Sequence, residues 1–151
     1  LFLKITDNEP VDSIPSGLKQ LAQAELLSYQ NKNKEGLEVL KSLFSSKDLF
    51  VNGLVPGEVI YDDALYLKAK LQIKEGQYLE AISSLEKIIA ADNQGFLVDD
   101  IYFLMAETYN YQLNDVEKAK EFYQKIIFDH PSSIYLVEAR KKFRELRGDN
   151  L

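Results

Sequence analysis

The chain has no cysteine and no tryptophan, and only one histidine and one methionine. Without cysteine there is no disulfide and no thiolate metal site. That fits cytoplasm or periplasm equally. No run of about 18 apolar residues occurs, so nothing reads as a membrane-spanning helix. No basic stretch followed by a short apolar core opens the chain, so no signal peptide is legible. Basic charge is in deficit, with 18 Lys and Arg against 24 Asp and Glu and a net charge of −6. A nucleic-acid surface needs the opposite sign to neutralise phosphates, so nucleic acid is not an expected partner. Glycine-rich phosphate loops and the HExxH and GxSxG motifs are missing too. The chain opens on Leu1 rather than methionine. It reads as a fragment or processed product, with any targeting segment lost upstream.

What is present is ordinary for a globular protein: 151 residues, 46% hydrophobic and 28% charged, enough for one domain that buries roughly two thirds of its unfolded surface. The informative feature is repetition. Asp62–Asp63–Ala64–Leu65–Tyr66–Leu67–Lys68–Ala69 returns 37 residues later as Asp99–Asp100–Ile101–Tyr102–Phe103–Leu104–Met105–Ala106. Behind each copy comes a second matching stretch, Tyr78–Leu79–Glu80–Ala81–Ile82 and Val116–Glu117–Lys118–Ala119–Lys120. Self-similarity at such a period implies stacked helical hairpins, which build surfaces rather than catalytic pockets.

The rest of the chain fits that frame. Residues 1–16 hold Pro10 and Pro15 and read as irregular, with Leu1, Phe2, Leu3 and Ile5 placed to cap one end and Ser16 to cap the first helix. Leu18, Leu21, Ala22, Leu26 and Tyr29 recur at helical steps, Asn31–Lys34 read as a turn, and Leu37, Leu40, Leu43 and Phe44 start a second helix. Ala24 to Gly36 is 12 residues, the same as Ala69 to Ala81, so this pair counts as a repeat. Residues 45–61, with Gly53, Pro56 and Gly57, form a connection whose Leu49, Phe50, Val51, Leu54 and Val55 pack on neighbouring helices. Helices are expected over Asp62–Lys74 and Tyr78–Ala91 with Gly76 at their turn, then over Asp99–Tyr111 and Val116–Phe128 with a turn one residue longer. Pro131 stops that hairpin. Ser132 or Ser133 caps a last helix, Ile134 to Leu146, ending at Gly148. The domain plan is an irregular segment 1–16 and a repeat domain 17–151, with repeats at about 17–45, 62–91 and 99–130 and a capping helix at about 133–147. Ala69 and Ala106 are small so that each first helix can approach Ala81 or Ala119 on the second at the usual ~8–10 Å, with Leu65, Leu85, Ile88, Tyr123 and Ile126 filling the space around these contacts.

These residues resemble the tetratricopeptide repeat. Leu65, Ala69, Gly76, Tyr78, Ala81 and Leu85 fit its pattern in one copy, and Ala106, Ala119, Tyr123 and Pro131 in the next. The tryptophan often found early in the first helix is replaced by Leu65, and Gly36 stands where alanine is usual. The segments Leu113–Glu121, Ile126–Pro131 and Val137–Arg144 are similar to the C-terminal end of large tetratricopeptide proteins of Bacteroidetes-type bacteria, where this region is the tail of a longer array. The style of repeat is also similar to envelope-assembly lipoproteins, although this chain lacks a lipid-bearing cysteine. The resemblance implies an all-α superhelix of about three hairpins and leans toward the bacterial envelope or periplasm over the cytoplasm.

Candidate chemistry is sparse. The pairs Asp62–Asp63 and Asp99–Asp100 project about 100° apart on a helix and do not converge on a metal; they suit helix N-termini, where the dipole favours anions. His130 precedes Pro131, has no nucleophile tied to it by a motif, and reads as a helix-end residue. Arg140, Lys141, Lys142, Arg144 and Arg147 make the last helix basic while residues 1–137 carry −8. They form either a contact for an anionic partner or membrane surface, or a solvated outer face with cations at the favourable helix end. The resemblance implies that first helices line a concave groove. Its register gives Leu21, Glu25, Ser28 and Tyr29 in the first repeat, Asp63, Tyr66, Lys70 and Ile73 in the second, and Asp100, Phe103, Glu107, Asn110 and Tyr111 in the third. Aromatic residues among mixed charges suit a protein or peptide partner. The expected function is therefore a noncatalytic interaction scaffold, the C-terminal module of a longer array, with no cofactor and no metal. The alternative is a structural module that ends the array or associates with copies of itself through the apolar end near Leu1–Leu27. An enzyme is not expected.

Overall fold

The computed structural model describes residues 16–45 and 59–150. Seven helices and no strand occur among them: α1 Ser16–Tyr29, α2 Asn33–Ser45, α3 Val59–Lys74, α4 Tyr78–Ala91, α5 Val98–Tyr111, α6 Val116–Asp129 and α7 Leu136–Arg147. The irregular stretch expected before Ser16, its apolar residues, the Ser16 cap and the packing of Leu49, Phe50, Val51, Leu54 and Val55 lie outside what is described.

The three hairpin turns each place one residue in left-handed backbone: Asn31 (φ 58°), Gly76 (φ 77°) and Asn114 (φ 53°). Asn31 stands seven residues after Ala24 and Gly76 seven after Ala69, while Asn114 stands eight after Ala106, which locates the insertion in the third turn. At the first turn the Lys32 N–H donates to the Leu27 carbonyl at 2.8 Å and the Asn31 N–H to Ser28 at 3.0 Å. At the second, Gln77 N–H donates to Gln72 at 2.8 Å and Gly76 N–H to Ile73 at 3.1 Å. Both pairs satisfy carbonyls that the helix end would leave orphaned. The third turn differs: Leu113 N–H donates to Thr108 at 3.0 Å and Asp115 N–H to Tyr109 at 2.9 Å. Glycine and asparagine occupy these places because other side chains clash there.

Packing explains the small residues. Ala24, Ala69, Ala81, Ala106 and Ala119 are all 0% exposed. Gly36 is buried in α2. A Cβ there would stand 3.0 Å from Leu71 Cδ1 and 3.5 Å from the Ala24 carbonyl oxygen. Glycine thus replaces the usual alanine because α3 presses Leu71 into the first hairpin. Three residues beyond each alanine pair, the repeats diverge in chemistry. Ser84 Oγ donates to Gln72 Oε1 at 2.9 Å across α3–α4, whereas Tyr109 stacks on Phe122 at 5.7 Å and 2° across α5–α6.

The helices fall into two compact units, α1–α4 within Leu1–Ala91 and α5–α7 within Asp92–Leu151. In the first, Leu21, Ala24, Leu40, Leu43, Ala64, Leu67 and Leu71 form one buried cluster. In the second, Val98, Ile101, Met105, Ala106, Tyr123, Ile126 and Ala139 are at most 1% exposed.

Several helix boundaries differ from expectation. α2 begins at Asn33, inside the stretch Asn31–Lys34 expected as a turn, and α6 runs one residue further, to Asp129. α3 begins at Val59, not Asp62, because Ile60 and Tyr61 pack on the core cluster and Tyr61 meets the Phe44 ring edge-on at 5.8 Å. The Asp pairs therefore lie in or just after first turns rather than at caps. The N-cap of α5 is Leu97, with no side-chain cap bond. α7 begins at Leu136 rather than Ile134: Tyr135 N–H donates to Ser133 Oγ at 3.1 Å, which holds a turn ahead of the helix. A cap not expected from the sequence is Asp115, whose Oδ1 accepts the Lys118 N–H at 3.1 Å.

Candidate functional site

In the first unit, α1 and α3 touch and border a hollow of about 560 Å³. Glu25, Ser28 and Tyr29 line it from α1, and Asp63, Tyr66 and Lys70 from α3, with Asn31, Leu67 and Lys74 completing it. Six of the eight groove positions expected here thus meet in one hollow. On α3 the lining residues Asp63, Tyr66, Lys70 and Lys74 follow at helical steps, so they form a single stripe. Its acidic end lies toward the helix N-terminus and its basic end toward the C-terminus, each where the helix dipole favours it. Lys70 Nζ sits 4.6 Å over the Tyr66 ring centroid, a cation–π contact. Tyr29 is 90% exposed, so its ring offers a large apolar surface still in water.

Two expected groove residues are elsewhere. Leu21 is 0% exposed and belongs to the core cluster. It is buried there with Leu40 and Leu43 of α2 and Ala64, Leu67 and Leu71 of α3. Ile73 is half-buried and does not line the hollow; Lys74, one residue on, does.

In the second unit the expected groove positions are engaged by the chain itself. The Phe103 ring stacks on Tyr135 with centroids 4.3 Å apart and planes at 13°. The Tyr135 hydroxyl donates to Asp100 Oδ1 at 2.8 Å. That bond to the Asp100 carboxylate, followed by burial, pushes the Tyr135 phenol up to about 12. Glu107 accepts from the Tyr123 hydroxyl, and Asn110 also bonds that group. Burial first, and the Glu107 bond second, push the Tyr123 phenol up. The Tyr111 hydroxyl accepts from Lys142, whose Nζ lies 5.1 Å over the same ring. The bond to Tyr111 raises the Lys142 pKa.

α7 has features of a first helix. Ala139, 33 residues after Ala106, is 0% exposed. The helix ends at Gly148, φ 89°, with Gly148 N–H donating to Glu145 and Asp149 N–H to Arg144, both at 3.0 Å. Its basic residues are only partly available. Arg144 Nε and Arg147 Nε donate to Asp149 at 3.4 and 2.9 Å. The Arg147 bond, first among these causes, holds the Asp149 carboxyl below the usual range. Arg140 and Lys141 are exposed. His130 is the C-cap of α6, its N–H donating to Ile126 and its ring 5.7 Å from Tyr102. Among the described residues no group of three or more His, Asp or Glu could hold a metal ion, and no helix is long and apolar enough to cross a membrane.

Hairpins with buried small residues at a fixed spacing and a left-handed residue in each turn define an all-α helical-repeat protein, a class that presents surfaces. Two stretches carry the finer assignment: residues 62–94 and residues 100–133 each match a tetratricopeptide repeat model. The matches support a tetratricopeptide protein, a type that is generally noncatalytic. No curated protein matches the chain.

Proposed function

We propose that this chain is a noncatalytic protein-interaction module that holds a peptide or protein segment on the α1–α3 face of its first unit. The observation that carries the reading is the hollow lined by Tyr29 and Tyr66 with charges of both signs around them. Tyrosine supplies a large apolar area at low entropic cost and keeps a polar tip for a hydrogen bond, which is why it recurs at binding hot spots. Charges of both signs line the hollow, so charge sets orientation more than affinity. The 90% exposure of Tyr29 supports the first unit as the binding element. The resemblance of residues 113–144 to C-terminal ends of large tetratricopeptide proteins supports a place at the end of a longer array.

A random peptide library displayed on phage and selected on the immobilised chain tests this. Selected peptides should bind the wild type and lose at least about tenfold on Tyr29→Ala/Tyr66→Ala, about 1–2 kcal/mol, with helicity by circular dichroism unchanged. Peptides that bind the double variant equally well remove this face from the account.

A further inference from the structure

The opposite side of α3 is lined as well. Lys68 lies two residues from both Tyr66 and Lys70, about 200° around the helix at ~100° per residue. Lys68 and Gln72 there are shared by two hollows of the first unit, of about 430 and 510 Å³. Lys87 and Ser84 of α4 complete the former, and Lys34 and Lys41 of α2 the latter. Glu38, Glu75 and Glu80 line the same hollows, yet among the described residues none of the four lysines makes an ion pair.

Lys68 is half-buried, with its Nζ 5.5 Å from the Phe44 ring centroid. Burial first, and the Lys87 charge second, push its pKa down. An ammonium in that setting gains more from an anion than a fully solvated one, since an anion offsets both the lost hydration and the repulsion. Gln72 is only 6% exposed. Its Oε1 lies 2.9 Å from the Ser84 hydroxyl, whose one proton it shares with the Glu80 carbonyl at 3.1 Å, and among the described residues its Nε2 meets no acceptor.

We propose that Lys68, Lys87 and the Gln72 amide form the centre of an anion site for a phosphate dianion, with Lys34 and Lys41 as outer contacts. The two ammonium groups outnumber Glu80, the carboxylate lining the hollow they share, and charge-assisted N–H donors suit tetrahedral oxygens. The site shares no lining residue with the α1–α3 hollow, so it stands apart from the proposed partner face.

The test is titration of the full chain with inorganic phosphate and with O-phosphoserine at constant ionic strength, chloride serving as reference, followed by NMR of the amides and lysine side chains. Saturating shifts at Lys68, Gln72 and Lys87 that chloride does not produce are expected, together with a rise in the Lys68 pKa. Lys68→Met should weaken binding at least tenfold, and Lys19→Met, on exposed α1 surface, should leave it unchanged. The tighter of the two probes identifies a free ion or an ester as the source. Lys87→Gln, at an exposed position, gives the same test should Lys68→Met fold poorly. Shifts that only track chloride, or undiminished binding in Lys68→Met and Lys87→Gln, overturn the site.

Discussion

Replacing Gly36 with alanine sets two effects of similar size against each other. Alanine in a helix interior is favoured over glycine by about 0.5–1 kcal/mol, because glycine loses more backbone freedom on folding. The new Cβ, however, arrives 3.0 Å from Leu71 Cδ1, against roughly 3.5–4.0 Å for an ordinary carbon contact. Leu71 is 0% exposed, so it must retreat by several tenths of an ångström inside a filled core. Overpacking of this kind costs about 1–3 kcal/mol. Gly36→Ala should therefore destabilise by about 1 kcal/mol net. Leu71→Val deletes the obstructing methyl. In that background the same alanine should stabilise by about 0.5–1 kcal/mol, giving a coupling of about 1–2 kcal/mol between two residues on different helices. Urea unfolding of the four proteins of this cycle, followed by circular dichroism, measures it. Stabilisation by alanine in both backgrounds, with no coupling, would refute the close approach of α2 and α3 and with it the reason given for glycine at this place.

Gly76→Ala should cost about 1–2 kcal/mol through its left-handed backbone alone, since no heavy atom lies within 4 Å of the added Cβ. Asn31→Gly should be neutral or stabilising, and the same urea midpoints check both; equal losses at 31 and 76 would contradict the turn assignment. Tyr135→Phe should lower stability by removing the bond to Asp100 while leaving the ring stacked on Phe103. The Tyr135 phenol is raised from 10.0 to about 12, so its contribution is complete below pH 10.0 and disappears as pH rises toward 12. Urea midpoints across that window should fall less in Tyr135→Phe than in wild type, and identical profiles would reject the role of the bond. The double replacement of Tyr29 and Tyr66 and the lysine replacements around Lys68 complete the set.

The hairpins were legible because the residues that set them are small or conformationally special and stand at fixed intervals. Ala69, Gly76 and Ala81 announce one hairpin, and Ala106 and Ala119 the next, with the extra residue of the third turn visible as a spacing. The start of α3 was not legible, because Val59, Ile60 and Tyr61 follow Pro56–Gly57 and look like the end of a loop until Phe44 is there to receive Tyr61. Six residues that line the α1–α3 hollow, Glu25, Ser28, Tyr29, Asp63, Tyr66 and Lys70, were picked out by the register that the tetratricopeptide resemblance implies. Register does not say what other helices cover, so Leu21 reads as groove surface although it is buried in the core cluster with residues of α2 and α3. The engagement of Asp100 and Phe103 by Tyr135 joins residues about 35 positions apart and leaves no local mark in the sequence. Gln72 and Ser84 could have been noticed, as polar residues at places where a repeat expects apolar contact, three beyond Ala69 and Ala81.

The most direct test of the binding account is an amide NMR map of the chain titrated with one library-selected peptide. Shifts concentrated at Glu25, Ser28, Tyr29, Asp63, Tyr66 and Lys70, and lost in Tyr29→Ala/Tyr66→Ala, are the predicted result. Shifts centred instead on Phe103 and Tyr111, or on the basic face of α7, with the α1–α3 residues unmoved, would contradict it.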